Sequence, residues 1–365
     1  MTLPRSRARA VAIVAAGALV LPLAACSQMG GSYVAPVPVE VAGSFAGSGS
    51  SAQEKAMAAW IEGFTAEHPE VEISYDAIGS GGGREEFLAG KVAFAGSDAA
   101  LSEDELDASA EVCAGGNGID LPVYVSPISV AFNLEGIDRL NLRAEVIARI
   151  FTGQITRWDD AAIAADNPDA DLPSLAIVPV HRADDSGTTE NFTDYLSQVV
   201  PEQWPHEADG VWPLEGGQAA DGTDGVTDFV RKNPGAVTYA DASRTAELGN
   251  AAIRVGNQFV PFTPEAAASA VDVSPLIDGR TKYDLAYEID RKTTESYAYP
   301  LVLVSYAIVC SRYTDKPTGR FVKEFLAYVA SPEGQQRAAE AAGSAPISEF
   351  VQRNVEEAAK SIYLG

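Results

Sequence analysis

The sequence is poor in the residues that most catalytic and metal centres need. Histidine occurs only as His68, His181 and His206, scattered along the chain, and the few cysteines never fall in C-x-x-C spacing. A metal site therefore has no ligand cluster to draw on, and no cofactor motif is present. No G-x-S-x-G elbow or S-x-x-K motif occurs, and residues 79–84 lack the lysine and spacing of a P-loop. Basic residues are scarce too: 26 lysines and arginines stand against 51 aspartates and glutamates, a formal net charge of −25. Such a chain is a poor partner for nucleic acid or for an anionic membrane surface. Any anion it binds must be held by local donors working against the global field.

Long apolar runs are also rare. The run 10–23, broken only by Gly17 and Pro22, is too short for a confident membrane span. Arg5, Arg7 and Arg9 precede it, and Leu23-Ala24-Ala25-Cys26 follows. A basic start, an apolar run and small residues before a cysteine resemble a bacterial lipobox. Residues 1–25 are then a signal peptide and Cys26 is the lipidated first residue of the mature chain. An ordinary secretory signal with an incidental cysteine is the alternative. Residues 26–38, with Gly30, Gly31, Pro36 and Pro38, read as a tether. Export leaves Cys113 and Cys310 in a compartment where disulfides persist. Their even count permits one bridge, the expectation adopted here, with two buried thiols as the alternative.

The body that remains is ample for two domains, and 46% of the whole 365-residue chain is hydrophobic. Residues 39–45 read as a strand. Met57, Trp60, Ile61 and Phe64 then share one helical face. A strand over 71–75 leads into the stretch IGSGGGREEFLAGKVAFAGSD at 78–98. Ser102 with Glu105 predicts a capping box. Residues 121–134 and 301–310 are long β-type runs, and Pro127 inside the first argues for a bend or a crossing. Helices are expected at 143–151 and 158–165, and a buried strand at 175–180. The strand is followed by the polar turn HRADDSGTT at 181–189 and another helix. Residues 201–222 read as loop. Strands alternating with helices give an α/β layered fold, with the two long β runs as candidate crossings between lobes.

Three helix starts carry small polar residues: 47–52, 79–83 and 186–189. Free N–H groups at such starts, together with the helix dipole, suit an anion. Arg182 adds a charge-assisted, bidentate donor, and Asp184 two residues on is placed to hold its guanidinium. Asp98 is an acceptor close behind an anion cradle, which fits an oxyanion that carries a proton. A helix-capping role ahead of Ser102 is its plainer reading.

The stretches GSGSSAQEKAMAAW (47–60), YDAIGSGGG (75–83), VAFAGSDAALS (92–102), FTGQITRWDDAAIAADNP (151–168), HRADDSGTT (181–189) and GVTDFVRKNPGAVTY (225–239) follow one another in order. Together they resemble the periplasmic-type phosphate-binding proteins of the high-affinity phosphate ABC transporter. The resemblance implies a two-lobed periplasmic-binding-protein fold, with two crossover hinge strands and a ligand cleft between the lobes. Lobe 1 would comprise 39–126 plus 301–365, and lobe 2 would comprise 127–300. It implies phosphate contacts at Ser51, Ala52, Ser80, Asp98, Arg182, Ser186, Gly187 and Thr188, with Asp184 behind Arg182. It further implies an extracytoplasmic, lipid-anchored protein that hands inorganic phosphate to permease subunits, without catalysis or cofactor. Two positions depart from the family pattern. Ser51-Ala52 stands where Thr-Phe is common, and Asp185 replaces a common glycine, adding a negative charge beside the site. The competing readings are a binding protein for sulfate or molybdate and a hydrolase using Ser186 or Ser80. Asp98 argues against the first, and the shortage of histidine near either serine argues against the second.

Overall fold

The structure is a computed structural model, and it describes residues 41–365. The signal peptide, Cys26 and the tether lie outside the described residues. The N-terminal elements are β1 (Gly43–Gly49), α1 (Glu54–Glu67), β2 (Val71–Asp76), α2 (Ser80–Leu88), β3 (Phe94–Ser97) and α3 (Glu103–Val112). Next come β4 (Gly118–Phe132), β5 (Arg139–Leu142), α4 (Ala144–Phe151), α5 (Ala161–Asp166), β6 (Val178–Arg182) and α6 (Gly187–Val199). Then follow β7 (Gln218–Ala220), α7 (Gly222–Lys232), β8 (Ala236–Asp241), β9 (Gly249–Val255), β10 (Gln258–Val260) and α8 (Pro264–Asp272). The chain ends with β11 (Val302–Cys310), β12 (Arg312–Tyr313), α9 (Lys316–Ala330), α10 (Pro332–Ala342), α11 (Glu349–Ser361) and β13 (Tyr363–Leu364).

The main sheet runs β2-β1-β3-β11-β4-β8-β6-β7, and β4 is its pivot. Up to Pro127 it pairs antiparallel with β11, and from Ile128 it pairs antiparallel with β8. Proline has no N–H to give a ladder, so Pro127 sits where the strand exchanges one partner for another. Every residue of β4 and of β11 is buried, as strands covered on both faces must be. β1, β2 and β3 are parallel to one another on one side of the crossing, as are β6, β7 and β8 on the other. This is the two-lobed α/β architecture that the sequence implied.

The first lobe is packed by aromatic rings. Phe45 stacks on Phe321 at 4.0 Å between centroids, and Phe64 meets Phe325 edge-on at 5.3 Å. The face expected on α1 is there: Met57, Trp60 and Phe64 are buried and Ile61 lies at its margin. Ser102 and Glu105 form the expected capping box on α3. Cys113, at the end of α3, is bridged to Cys310, at the end of β11, across 197 residues with Cα atoms 5.0 Å apart. Closing so long a loop contributes on the order of 2–5 kcal/mol.

Four expected boundaries move, the β run expected at 121–134 being found at Gly118–Phe132. The strand placed at 39–45 is found at Gly43–Gly49, because the glycine-serine stretch continues it: Gly47, Ser48 and Gly49 pair with Phe94, Ala95 and Gly96. The strand expected at 175–180 runs from Val178 to Arg182 and is only half-buried. Leu175 and Ile177 instead bond to the loop at 156–158, through Trp158 N–H to Leu175 and Ile177 N–H to Thr156. The helix expected from 158 starts at Ala161, because the Asp160 carboxylate takes the N–H of Ala162. Trp158 is a buried anchor instead, its indole donating to the Gly235 carbonyl at 3.0 Å. Residues 201–222 are largely loop but also supply the edge strand β7.

Candidate functional site

Four helix starts meet where the two lobes face each other. At α1, Ser50 Oγ accepts from the N–H groups of Ala52 and Gln53 at 3.1 and 3.3 Å. Ser51 reaches across to α7, its Oγ accepting from Thr223 N–H at 3.0 Å and bonding the Thr223 hydroxyl at 3.0 Å. Ser80 is the first residue of α2, after Gly79 at φ +93°. A side chain at Gly79 would be strained, and its Cβ would lie 2.6 Å from an Asp184 oxygen. At α6, Ser186 is the N-cap, accepting from Thr189 N–H at 3.2 Å. Gly187 follows it, and a Cβ there would lie 2.8 Å from that of Asp98 and would overlap Ser80. Ser51, Ala52, Ser80, Asp98, Arg182, Ser186 and Thr188 are all buried.

Asp98 joins the lobes. Its Oδ1 accepts from the hydroxyls of Ser50 and Ser305, each at 2.6 Å, and its Oδ2 accepts from Thr188 at 3.1 Å. Its N–H donates to Ser80 Oγ at 3.1 Å, and its carbonyl accepts from Asn191 at 2.8 Å. It caps no helix, since Ser102 does that work. Burial pushes the Asp98 carboxyl up, while Ser305, Ser50, Thr188 and the Arg182 charge pull it back, leaving it above the usual carboxylate range. A cavity of about 400 Å³ adjoins Asp98, bounded by Glu190, Asn191, Arg280 and Arg291 among others. In the same region burial lifts Glu190 to about 7.

Arg182 ends β6. Its Nε donates to Asp184 Oδ1 at 2.7 Å, its Nη2 donates to Asp184 Oδ2, and no protein acceptor meets Nη1 among the described residues. Asp184 also takes the N–H of Gly222 at 3.0 Å. Burial raises the Asp184 carboxyl, but the Arg182 contacts and that N–H outweigh it and hold it below the ordinary range. The Tyr239 hydroxyl backs this corner, accepting from Arg182 N–H at 3.3 Å and bonding Thr189 Oγ1 at 2.8 Å. The lobes are in contact here, with Gly81 N–H donating to the Asp185 carbonyl at 3.2 Å.

Ser50, Ser305, Thr223 and Asn191 escaped the sequence reading. Ser50 was legible as a turn residue ahead of a helix start. Ser305 was legible as a lone aliphatic hydroxyl in the apolar run VLVSYAIVC, which must find a partner when buried. Thr223 and Asn191 carried no signal, because their importance depends on which segments the fold brings opposite them. His181 is no general base for either serine. One ring nitrogen lies 2.9 Å from the Arg182 carbonyl, the other 3.1 Å from that of Gly216, and the ring stacks on Trp212.

Comparison with known proteins agrees with this architecture. A family model described as a PBP superfamily domain matches residues 38–333. The phosphate-binding protein PstS 3 of Mycobacterium tuberculosis is 36% identical over 332 residues, covering 87% of this chain and 88% of that protein. PstS 2 of the same organism is 32% identical over 366 residues, covering 97% and 98%. Among solved structures, a periplasmic phosphate-binding protein (PfluDING) bound with phosphate matches with a TM-score of 0.69 at 20% identity. It covers 86% of this chain and 93% of that one, a likeness of fold. Among the described residues no helix is long and apolar enough to cross a membrane. With relatives this similar over nearly their whole length, the chain belongs to the PBP superfamily, in its family of periplasmic-type phosphate-binding proteins, which are transport proteins and not enzymes.

Proposed function

We propose that this protein captures inorganic phosphate outside the cytoplasm, between a lobe made of 39–126 plus 301–365 and a lobe made of 127–300, and delivers it to the permease of an ABC transporter. The observation that carries the reading is Arg182. It is buried, steered by Asp184 and keeps one guanidinium nitrogen without a protein acceptor among the described residues, next to helix starts from both lobes. An anion held by Ser51, Ala52, Ser80, Arg182, Ser186, Gly187 and Thr188 is neutralised mainly by N–H and O–H dipoles. Asp98 accepts the proton that hydrogen phosphate carries. Sulfate and molybdate have no such proton at neutral pH, which disfavours them. Cys26, lipidated, anchors the protein to the cell membrane through the tether 26–38.

The test is calorimetry on the purified protein with phosphate, sulfate and molybdate, beside a turnover assay with phosphate esters. Saturable heat with phosphate and no ester turnover is expected. Absence of phosphate binding, or preference for sulfate, overturns the reading. Metabolic labelling with a fatty acid, lost in Cys26→Ala, tests the anchor.

A further inference from the structure

Asp98 is a buried carboxylate that no cation touches among the described residues. The donors that hold its Oδ1 are two hydroxyls from different elements: Ser50 from the β1–α1 turn and Ser305 from the middle of β11. Ser305 is fully buried, and Asp98 is the partner its hydroxyl finds among the described residues. Neither serine is in the ligand set that the family resemblance implied. A hydroxyl that donates to a carboxylate stabilises its ionised form, and burial opposes that form. The other charged or titratable groups felt with Asp98 are Arg182 at the end of β6, Asp241 at the end of β8, Tyr75 on β2 and Tyr124 on β4; Glu190 and Asp194 of α6, Arg280, Tyr287, Glu288, Arg291 and Tyr306 line the shared cavity. Of these only the arginines favour the ionised form, and Arg280 and Arg291 are already paired with aspartates of their own.

Resting on the phosphate reading, we propose that Ser50 and Ser305 are positioning residues for oxyanion selectivity: they occupy Oδ1, keep Asp98 ionised, and leave Oδ2, which takes only the Thr188 hydroxyl among the described residues, a lone pair to meet the ligand as an acceptor only. An oxyanion that carries a proton then donates it to Oδ2. A fully deprotonated oxyanion sets lone pairs against lone pairs. A protonated Asp98 is a donor, and it accepts sulfate. Discrimination therefore depends on the two hydroxyls as well as on the carboxylate.

The experiment titrates phosphate and sulfate calorimetrically between about pH 5 and pH 8 into the full-length mature protein and its Ser305→Ala, Ser50→Ala and Ser305→Thr variants. In Ser305→Ala the preference for phosphate over sulfate should fall about tenfold, and sulfate binding should set in about one pH unit higher than in the wild type. Ser50→Ala should move both readouts in the same direction, and Ser305→Thr, which keeps a hydroxyl, should restore them. The second alanine variant decides the matter if the first does not fold. An unshifted sulfate profile in both alanine variants, or equal weakening of both anions, overturns the inference. A wild type that binds no phosphate overturns the phosphate reading itself, whereas a selective wild type with an unmoved Ser305→Ala overturns only the role given to the hydroxyls.

Discussion

Arg182 with Asp184 and Asp98, and Arg280 with Asp120 and Asp284, are built from the same parts: one buried or half-buried arginine and nearby buried or half-buried aspartates. Their hydrogen bonds differ. Around Arg280 both carboxylates are spent on the cation and the main chain. Its Nη1 serves Asp120 and Asp284 at 3.2 and 3.0 Å, and its Nη2 serves the Leu101 carbonyl at 2.6 Å. The free oxygens of the two aspartates take the N–H groups of Leu101 and Asp120, each at 3.1 Å. Around Arg182 the carboxylates divide: Asp184 takes the guanidinium, whereas Asp98 receives hydroxyls and, among the described residues, no cation. The first cluster ties the segment after α8 to the loop after β3. The second keeps hydrogen-bonding capacity that a ligand can use. Composition does not separate a structural knot from a binding site; a buried carboxylate held by hydroxyls instead of by the arginine does.

The sharpest way to break this comparison is at Arg280. Arg280→Met leaves two buried carboxylates without their cation, and burial together with Asp284 already pushes the Asp120 carboxyl far up. A loss of about 3–5 kcal/mol is expected in denaturant unfolding. An unchanged midpoint would mean that the cluster is not structural. Arg182→Ala should do the reverse. Phosphate affinity should fall roughly 30- to 100-fold, the worth of a charge-assisted contact. The unfolding midpoint should move less than in Arg280→Met, because Asp184 has solvent access and keeps the Gly222 N–H. Equal stability losses in the two variants would erase the distinction.

Asp98→Asn comes next. The amide oxygen should stay with the Ser50 and Ser305 hydroxyls, which need an acceptor, so the NH₂ takes the place of Oδ2. That group donates to either anion, and phosphate-over-sulfate discrimination should fall by about tenfold or more. Competition calorimetry reads this directly, and undiminished discrimination would remove Asp98 from the selectivity mechanism.

How much of this was legible in the sequence follows from the range of the interactions. Helix starts and caps are local, so Ser102 and Ser186 each predicted a helix that is present. Arg182 and Asp184 are two residues apart and could be read as a pair. The Arg280 cluster could not, because Asp120 and Arg280 are separated by 160 positions and lie in stretches without a motif. Ser51 meets Thr223 across 172 positions and Asp98 meets Ser305 across 207, contacts that exist only once β4 and β11 have crossed. The strand boundary at β1 failed for a related reason. Gly47 has low strand propensity, but its missing side chain is the space that the Phe94 ring fills, so packing overrode propensity.

The smallest expected effect belongs to a third carboxylate, Asp185, which is in neither cluster. Its side chain lies against Gly81 in the first turn of α2 and against Gly210, and a Cβ at either glycine would overlap it. Its main chain is fixed on both sides, the carbonyl by Gly81 N–H and the next N–H, that of Ser186, by the Gly210 carbonyl at 3.0 Å. Burial and the neighbouring Asp209, Glu105 and Glu85 raise this carboxyl, with Arg84 opposing them. Gly81→Ala should therefore have opposite effects on two measurements. Within a helix, alanine is better than glycine by about 1 kcal/mol, so the unfolding midpoint should rise. The new methyl group meets Asp185 only when the lobes are together, so phosphate affinity should fall. The fall should be only a few-fold, because an exposed aspartate can rotate away at a cost of about 0.5–1.5 kcal/mol. Asp185→Gly should raise affinity on its own by removing a negative charge beside the site. In the double variant, Gly81→Ala should then cost nothing in affinity. If Gly81→Ala weakens phosphate binding equally with and without Asp185, the two residues do not meet in the bound state, and Asp185 acts through its charge alone.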